Sequence, residues 1–282
     1  MGTRSVAIVG GGNMGRALVS GLLRRGMLPE DIRVAEVSPA TRALLARDFA
    51  VSALADARAA VTDAAVIVIA VKPEQVAALL APWGAQLATS RPLVVSIAAG
   101  IRIAALQAWC GAGVPIVRAM PNRPAYVGAG VTGLFAGPEV SPAARDAAAR
   151  VLSSVGEIVW LQNEEALDVV TALSGSGPAY LFLLAEAMMQ AAVGLGLEGE
   201  AARKLAVGTL YGAGLLAHAS DGDLSRLRAE VTSKGGTTEA ALEMFAAADL
   251  TGTVMQALQA AARRSRELAR EFSPANSDKV AL

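Results

Sequence analysis

Two glycine turns near opposite ends of the chain carry the residue types that hold an anion. Val231-Thr232-Ser233-Lys234-Gly235-Gly236-Thr237-Thr238 packs four hydroxyls and two adjacent glycines into one turn. Thr237 or Thr238 as N-cap, Glu239 in the first turn, and Ala241, Leu242 and Phe245 at apolar spacing predict a helix directly after it. A helix start presents N–H groups without intrahelical partners and the positive end of the helix dipole. Gly235 and Gly236 let a ligand approach that backbone, so a small carboxylate could be held here without an arginine. The same residues, taken alone, also describe a capped turn with no ligand.

The second turn, Gly10-Gly11-Gly12-Asn13-Met14-Gly15, fits G-x-G-x-x-G between a predicted strand and a predicted helix, the setting of a dinucleotide fingerprint. Gly10 makes the tight turn, Gly12 lets a pyrophosphate reach the backbone, and Gly15 permits close helix–sheet packing. Glu36 follows roughly 20 residues later, where an acid can take ribose hydroxyls and repel a 2′-phosphate. Ser38 and Arg42 lie close behind and could hold such a phosphate, or serve as a helix N-cap and a solvated helix arginine. Ala70-Val71-Lys72-Pro73 and Ser96-Ile97-Ala98-Ala99-Gly100 end two further predicted strands, where a doubly wound sheet places its ligands. The small side chains of the Ser96 to Gly100 strand end leave room for a flat ring, though ordinary strand termination reads equally well.

The elements that must position these turns change character along the chain. In the first half, β-branched runs alternate with amphipathic stretches: strands at 6–9, 32–36, 66–71, 94–97, 116–118, 131–135 and 158–160, with a helix over 13–25 after the first. This is the pattern of an α/β Rossmann-type domain with a mostly parallel sheet. From residue 164 onward, 3.6-period segments at 164–173, 179–195, 200–219, 237–247 and 251–271 predict an all-α domain. The expected division is therefore 1–162, 163–272, and a disordered tail over 273–282.

Composition excludes several classes. Lys plus Arg balance Asp plus Glu at 25 each, so no global field favours nucleic acid or an anionic membrane. Cys110 is the only cysteine, which excludes an intrachain disulfide and a thiolate cluster, and no His/Cys/Asp/Glu grouping has metal-ligand spacing. The charge-free run 169–185 is interrupted by Gly175-Ser176-Gly177-Pro178 and is shorter than a span of about 20 apolar residues, so no transmembrane helix is expected. Without a signal peptide, a cytoplasmic location is the expectation. His218, the only histidine, is assigned a helix-end or surface role. Tyr180 reads as a core aromatic more than a ligand contact, and Arg118 and Arg123 as loop charges in water, with a substrate carboxylate as the alternative.

The ordered set of Gly10–Gly15, Ala70–Pro73, Ser96–Gly100, Met120-Pro121-Asn122, Leu173-Ser174-Gly175-Ser176-Gly177-Pro178-Ala179-Tyr180 and Val231–Thr238 resembles pyrroline-5-carboxylate reductase, over roughly residues 5–268. The last two blocks are far more specific than a dinucleotide fingerprint. The resemblance implies reduction of the cyclic imine Δ1-pyrroline-5-carboxylate to L-proline with NADPH or NADH, the final step of proline synthesis. It implies that Gly10, Gly12, Asn13, Met14 and Gly15 hold the pyrophosphate, while Glu36 and Ser38 are expected at the ribose from their own position after the second strand. The nicotinamide half then lies against Ala70, Val71, Lys72, Pro73, Ile97, Ala98 and Ala99. The substrate carboxylate goes to Ser233, Gly235, Gly236, Thr237 and Thr238, and Thr238 also meets the ring nitrogen as the catalytic contact. The partner it implies is a second copy, in a homodimer with intertwined helices and, as a larger assembly, a decamer.

Departures are few: Arg123 where Thr is usual, Lys234 where Pro is common, and no Asn-Arg pair after Glu36, which leaves the coenzyme preference open. The helix predicted from Gly177 onward contains neither Lys nor His. Alcohol oxidation needs a base near neutral pKa, whereas an iminium needs only hydride and orientation. That, with the intact Thr232–Thr238 turn, disfavours another imine or hydroxyacid reductase of the same architecture. A non-catalytic NAD(P)-binding regulator, the other alternative, would be expected to lose substrate-turn residues, and none is lost.

Overall fold

The computed structural model describes residues 5–220 and 222–272; the expected tail at 273–282 lies outside them. The first half runs β1 (Val6–Val9), α1 (Asn13–Arg24), β2 (Ile32–Ala35), α2 (Pro39–Phe49), β3 (Ser52–Leu54), α3 (Ala57–Val61), β4 (Val66–Ile69), α4 (Pro73–Leu80) and α5 (Gly84–Ser90). It continues through β5 (Leu93–Ser96), α6 (Ile103–Cys110), β6 (Ile116–Met120), β7 (Gly130–Ala136), α7 (Pro142–Leu152) and β8 (Gly156–Trp160). The second half is helical: α8 (Ala166–Val170), a π-helical turn (Thr171–Gly175), α9 (Gly177–Gly194), α10 (Gly199–Ala219), α11 (Leu224–Glu230), α12 (Thr237–Ala247) and α13 (Leu250–Glu271).

The eight strands form one sheet in the order β3-β2-β1-β4-β5-β6-β7-β8, parallel except for the β6–β7 pair. β1, β4 and β5 are buried at every residue, as central parallel strands covered on both faces must be. One face packs against Leu18, Leu22, Val151 and Leu152, the other against Leu80, Trp83, Leu106 and Cys110. The short β3 and α11 were not among the sequence expectations; each is too brief to set up a period of its own. β2 and β4 stop at Ala35 and Ile69, short of the expected 36 and 71.

The compact units divide differently from the expected domains. One comprises residues 1–175 together with 261–282, the other Ser176–Ala260. The strands end at Trp160, and α8, which packs against β6 and β7, belongs to the first unit together with the last part of α13. In the second unit α9 packs against α10 and leaves Leu181, Phe182, Leu183, Tyr211 and Leu216 exposed.

The segment 166–194 also differs from expectation. The π turn carries the helix almost without a break into Gly-Ser-Gly-Pro, so by length and composition Ala166–Gly194 is long and apolar enough to cross a membrane, with 17% of its most apolar window buried. Asn122, at the end of β6, ties that turn down. Its side-chain amide donates to the Ser174 carbonyl at 3.1 Å, and its carbonyl oxygen accepts the Val131 N–H at 2.9 Å. A Cβ on Gly175 would stand 2.7 Å from Met120 Cε, so Met120 and Asn122 pack closely on Ser174 and Gly175. Asn122→Ala is accordingly expected to lower unfolding free energy by roughly 1–3 kcal/mol in urea titrations, through partly buried backbone groups left unpaired, while coenzyme affinity per folded molecule holds.

Candidate active site

Sheet register brings the first set of expected site residues together. Ala35, Val9, Ile69, Ser96 and Arg118 are successive lateral neighbours on β2, β1, β4, β5 and β6. One residue beyond stand Glu36, Gly10, Ala70 and Ile97, at the carboxyl edge where doubly wound sheets bind ligands. The ladder continues into this row: Gly10 N–H donates to Ala35 O at 2.9 Å, Ala70 N–H to Val9 O at 2.8 Å, and Ile97 N–H to Ile69 O at 3.1 Å.

The glycine loop has three distinct constraints. Gly10 has φ +111°, and a Cβ there would lie 2.6 Å from the Ala70 carbonyl oxygen. A Cβ on Gly15 would collide with the Gly10 carbonyl, so that glycine sets the closeness of α1 to the loop. Gly12, the N-cap of α1, has open space where its Cβ would be and an ordinary backbone conformation. Its missing side chain leaves room rather than relieving strain. α1 has no side-chain cap and no acid in its first turn, so the amides from Gly12 to Gly15 suit a pyrophosphate.

Glu36, expected at the ribose, is bonded within the protein. Its carboxylate accepts the Gly11 N–H at 2.9 Å and the Ser38 N–H at 2.8 Å, tying the end of β2 to the glycine loop. Ser38 caps α2 by accepting Thr41 N–H at 3.3 Å, and Arg42 donates to the carbonyls of Glu36 and Val37 at 2.8 Å each. Of the two roles open for Ser38 and Arg42, these contacts give Ser38 the cap and Arg42 a clamp on backbone carbonyls rather than a free solvated charge. Val71, Lys72 and Pro73 follow Ala70 into the start of α4, with Pro73 in its first turn. Ile97 and Ala99 are half-buried and Ala98 is buried.

Arg118 departs from its expectation of a loop charge in water. It is 5% exposed and donates to Glu164 Oε1 at 2.6 Å; burial lowers its pKa against the opposing pull of that carboxylate. It closes the far end of the row as a structural ion pair. Arg123 lies on the surface over the Tyr126 ring at 5.6 Å. Burial pushes the Cys110 thiol up to about 12, which removes it as a nucleophile. His218 is exposed in the last turn of α10, and Tyr180 is half-buried.

The second set, Ser233 to Thr238, lies in the helical unit. Gly235 has φ +70°, Gly236 N–H donates to Ser233 O at 3.0 Å, and a Cβ on Gly236 would strike Ser233 Oγ. The N-cap of α12 is Gly236, not Thr237 or Thr238 as the residue types suggested, and it makes no side-chain capping bond. Glu239 folds back to accept the Gly235 N–H at 2.6 Å and does part of a cap's work, leaving both threonine side chains within the first helical turn without a capping duty. Thr238 is half-buried and Ser233 exposed.

Sequence reasoning missed a buried polar group beside the row. Asp168 on α8, 1% exposed, accepts from Arg102 Nη2 at 2.6 Å and from Ser265 Oγ on α13 at 2.7 Å. Glu164, besides Arg118, accepts the Ile103 N–H that opens α6 at 2.7 Å. Partners separated by 66 and 97 residues leave no periodic trace that a single sequence could reveal.

Comparison with known proteins gives consistent matches. Residues 164–268 match the family model described as pyrroline-5-carboxylate reductase dimerisation, and residues 5–100 match an NADP oxidoreductase, coenzyme F420-dependent model. The chain is 43% identical over 272 residues to a pyrroline-5-carboxylate reductase of Pseudomonas aeruginosa, covering 96% of this chain and 99% of that protein. It superposes on the structure of a pyrroline-5-carboxylate reductase from Coxiella burnetii with a TM-score of 0.92 at 37% identity, over 95% of this chain and 99% of that one. A Plasmodium falciparum pyrroline carboxylate reductase solved with NADP bound gives 0.81 at 27% identity, over 94% and 98%.

The glycine geometry makes a discriminating prediction. Gly12→Ala is expected to fold with a stability change below about 1 kcal/mol yet weaken NAD(P)H binding at least about tenfold, because its Cβ would occupy ligand space. Gly15→Ala is expected to lower the melting temperature, because its Cβ meets the protein's own backbone. Calorimetry and coenzyme titration on the two variants check both.

Proposed function

The chain belongs to the pyrroline-5-carboxylate reductase family, and we propose that its two glycine turns divide the reaction between them, the first holding NAD(P)H and the second the substrate carboxylate. The enzyme is an NAD(P)H-dependent oxidoreductase that reduces Δ1-pyrroline-5-carboxylate to L-proline, the last step of proline synthesis. The observation that carries the proposed site is the level row of Glu36, Gly10, Ala70 and Ile97, with open space at Gly12 beside it.

The bound reduced nicotinamide supplies a hydride. The chain's own work is orientation: the α1 amides and Gly12 seat the pyrophosphate, while Ala70 to Pro73 and Ile97 to Ala99 form the floor for the ring. Ser233 and the Gly235 to Thr238 turn anchor the carboxylate, through the amides of Thr237 and Thr238, since those of Gly235 and Gly236 are bonded to Glu239 and Ser233. The Thr238 hydroxyl, which Gly236 relieves of capping, meets the ring nitrogen. A ring held at its carboxylate and its nitrogen presents one face at one angle, the condition under which positioning contributes most to rate. No strong general acid is required, because the ring nitrogen can arrive protonated.

The exposed apolar side chains of α9 and α10 support burial against a second copy in an intertwined homodimer, with the substrate turn of one subunit serving the nucleotide domain of the other and a decamer as the larger assembly. Such a partner would also cover the apolar run 166–194. A cytoplasmic location fits a coenzyme-dependent biosynthetic step.

The test is NAD(P)H oxidation followed by absorbance with and without the five-membered imine, with L-proline identified as product. Turnover of 3-hydroxy acids instead, or coenzyme binding without turnover, would contradict the reading. Thr238→Ala is expected to lower kcat/KM for the imine roughly 10- to 1000-fold, or about 1.4 to 4 kcal/mol, with NAD(P)H affinity little changed. Near wild-type turnover would remove Thr238 from the site. Both coenzymes are expected to work with a preference below about tenfold in kcat/KM. Glu36→Ala should move the ratio toward NADPH and, by taking an acceptor from Gly11 and Ser38, weaken both coenzymes; an unchanged ratio would show that Glu36 does not touch the ribose.

A further inference from the structure

The segment Ile97 to Arg102, between β5 and α6, is held at both ends by groups outside the reacting site. At its start, Ile97 N–H is bonded to the Ile69 carbonyl, and Ala98 N–H donates to Ser96 Oγ at 3.4 Å. At its end, Gly100 turns with φ +79°, and a Cβ there would lie 3.3 Å from Leu268 Cβ on α13. Ile101 is fully buried, and Arg102 reaches Asp168, which Ser265 on α13 also holds. The last part of α13 thus grips the end of this segment twice, by packing Leu268 on Gly100 and through Ser265 on Asp168. All these groups belong to the first compact unit.

This arrangement is poorly suited to stability alone. Arg102 Nη1 is buried without a hydrogen-bond partner among the described residues, and Asp168 is a charge removed from water. A buried pair of this kind commonly stabilises a fold no better than apolar residues of the same volume. What it does supply is direction. Two short contacts on one carboxylate fix where Arg102 lies, and Arg102 precedes the first residue of α6. With β5 fixing the other end, Ile97 to Ala99 have little freedom left.

We propose that the Arg102–Asp168–Ser265 bridge positions the Ile97–Ala99 floor against which the nicotinamide lies, so that Asp168 and Ser265 are positioning residues for hydride transfer. The inference rests on the proposed placement of the nicotinamide at that floor. Neither residue touches the reacting atoms; each acts through Arg102 and the segment it ends. Because the adenosine half lies toward Glu36, on the other side of β1 and β4 in the sheet, loosening the floor should leave it unaffected.

The experiment compares wild type with Ser265→Ala and Asp168→Asn. Three readouts are taken: affinity for ADP-ribose, affinity for NAD(P)H, and the primary deuterium isotope effect on kcat using coenzyme labelled at the transferred position. Ser265→Ala leaves the Arg102–Asp168 pair in place and remains the test should Asp168→Asn fail to fold. Expected are unchanged ADP-ribose affinity, a several-fold loss of NAD(P)H affinity, a fall in kcat of about 10- to 100-fold, and a larger isotope effect as hydride transfer becomes limiting. A purely structural bridge would lower the melting temperature and leave both the NAD(P)H to ADP-ribose affinity ratio and the isotope effect at wild-type values, and that result overturns the proposal. Failure of the wild type to turn over the imine would instead overturn the assigned reaction, while the affinity ratio would still report on the bridge.

Discussion

The first amides of a helix have no carbonyl to bond within the helix, and most proteins satisfy them with a Ser, Thr, Asn or Asp side chain. This protein does so at α2 and α7, where Ser38 and Ser141 are the caps. At α1 and α12 the cap is a glycine without a side chain to offer. The difference decides where anions can go. A capped helix start is already occupied by its own oxygen, whereas Gly12 leaves backbone donors and dipole charge open, and Gly236 leaves the Thr237 and Thr238 amides uncapped beside a Gly235 N–H that Glu239 has taken. The chain has one glycine-capped start in each compact unit, with pyrophosphate proposed for the first and carboxylate for the second.

For the first of these starts, precision comes from the sheet. Parallel pairing in fixed register levels the carboxyl ends of β2, β1, β4 and β5, so four segments distant in sequence become neighbours in one row. The loops leaving that row are then tied to rigid parts: Glu36 binds the glycine loop, and Arg102 binds Asp168. Both ties use carboxylates, and each carboxylate has two donors. In a buried setting such a group is costly unless its lone pairs are met, so once met it resists displacement. The edge of an otherwise apolar sheet acquires defined geometry through these few polar contacts.

Much of this was legible in the residues. The strand–glycine loop–helix unit, the Ser233–Thr238 turn and the switch from period 2 to period 3.6 could be read because each is local: its signal lies in a few neighbouring positions. Long-range features left no such signal. The register that levels Gly10 with Ala70 and Ile97 depends on strand pairing, and Arg118 looked like a loop charge because its partner, Glu164, follows 46 residues later. Thr237 and Thr238 looked like caps by residue type, but Gly236 followed by Glu239 offered the backbone another solution. Ser265, mid-helix and polar, gave no hint of a contact with Asp168. The two glycine turns were thus visible, while the Arg102–Asp168–Ser265 contacts were not.

The central claim is that two separate glycine turns hold two separate anions by their backbone amides. Amide hydrogen exchange followed by mass spectrometry tests it directly, since an N–H bonded to a ligand exchanges more slowly. ADP-ribose is expected to slow exchange over residues 10–16 and leave 233–240 unchanged, and L-proline added to the coenzyme complex is expected to slow exchange over 233–240. Protection by L-proline confined to any other segment, or protection of both turns by ADP-ribose alone, would contradict the account.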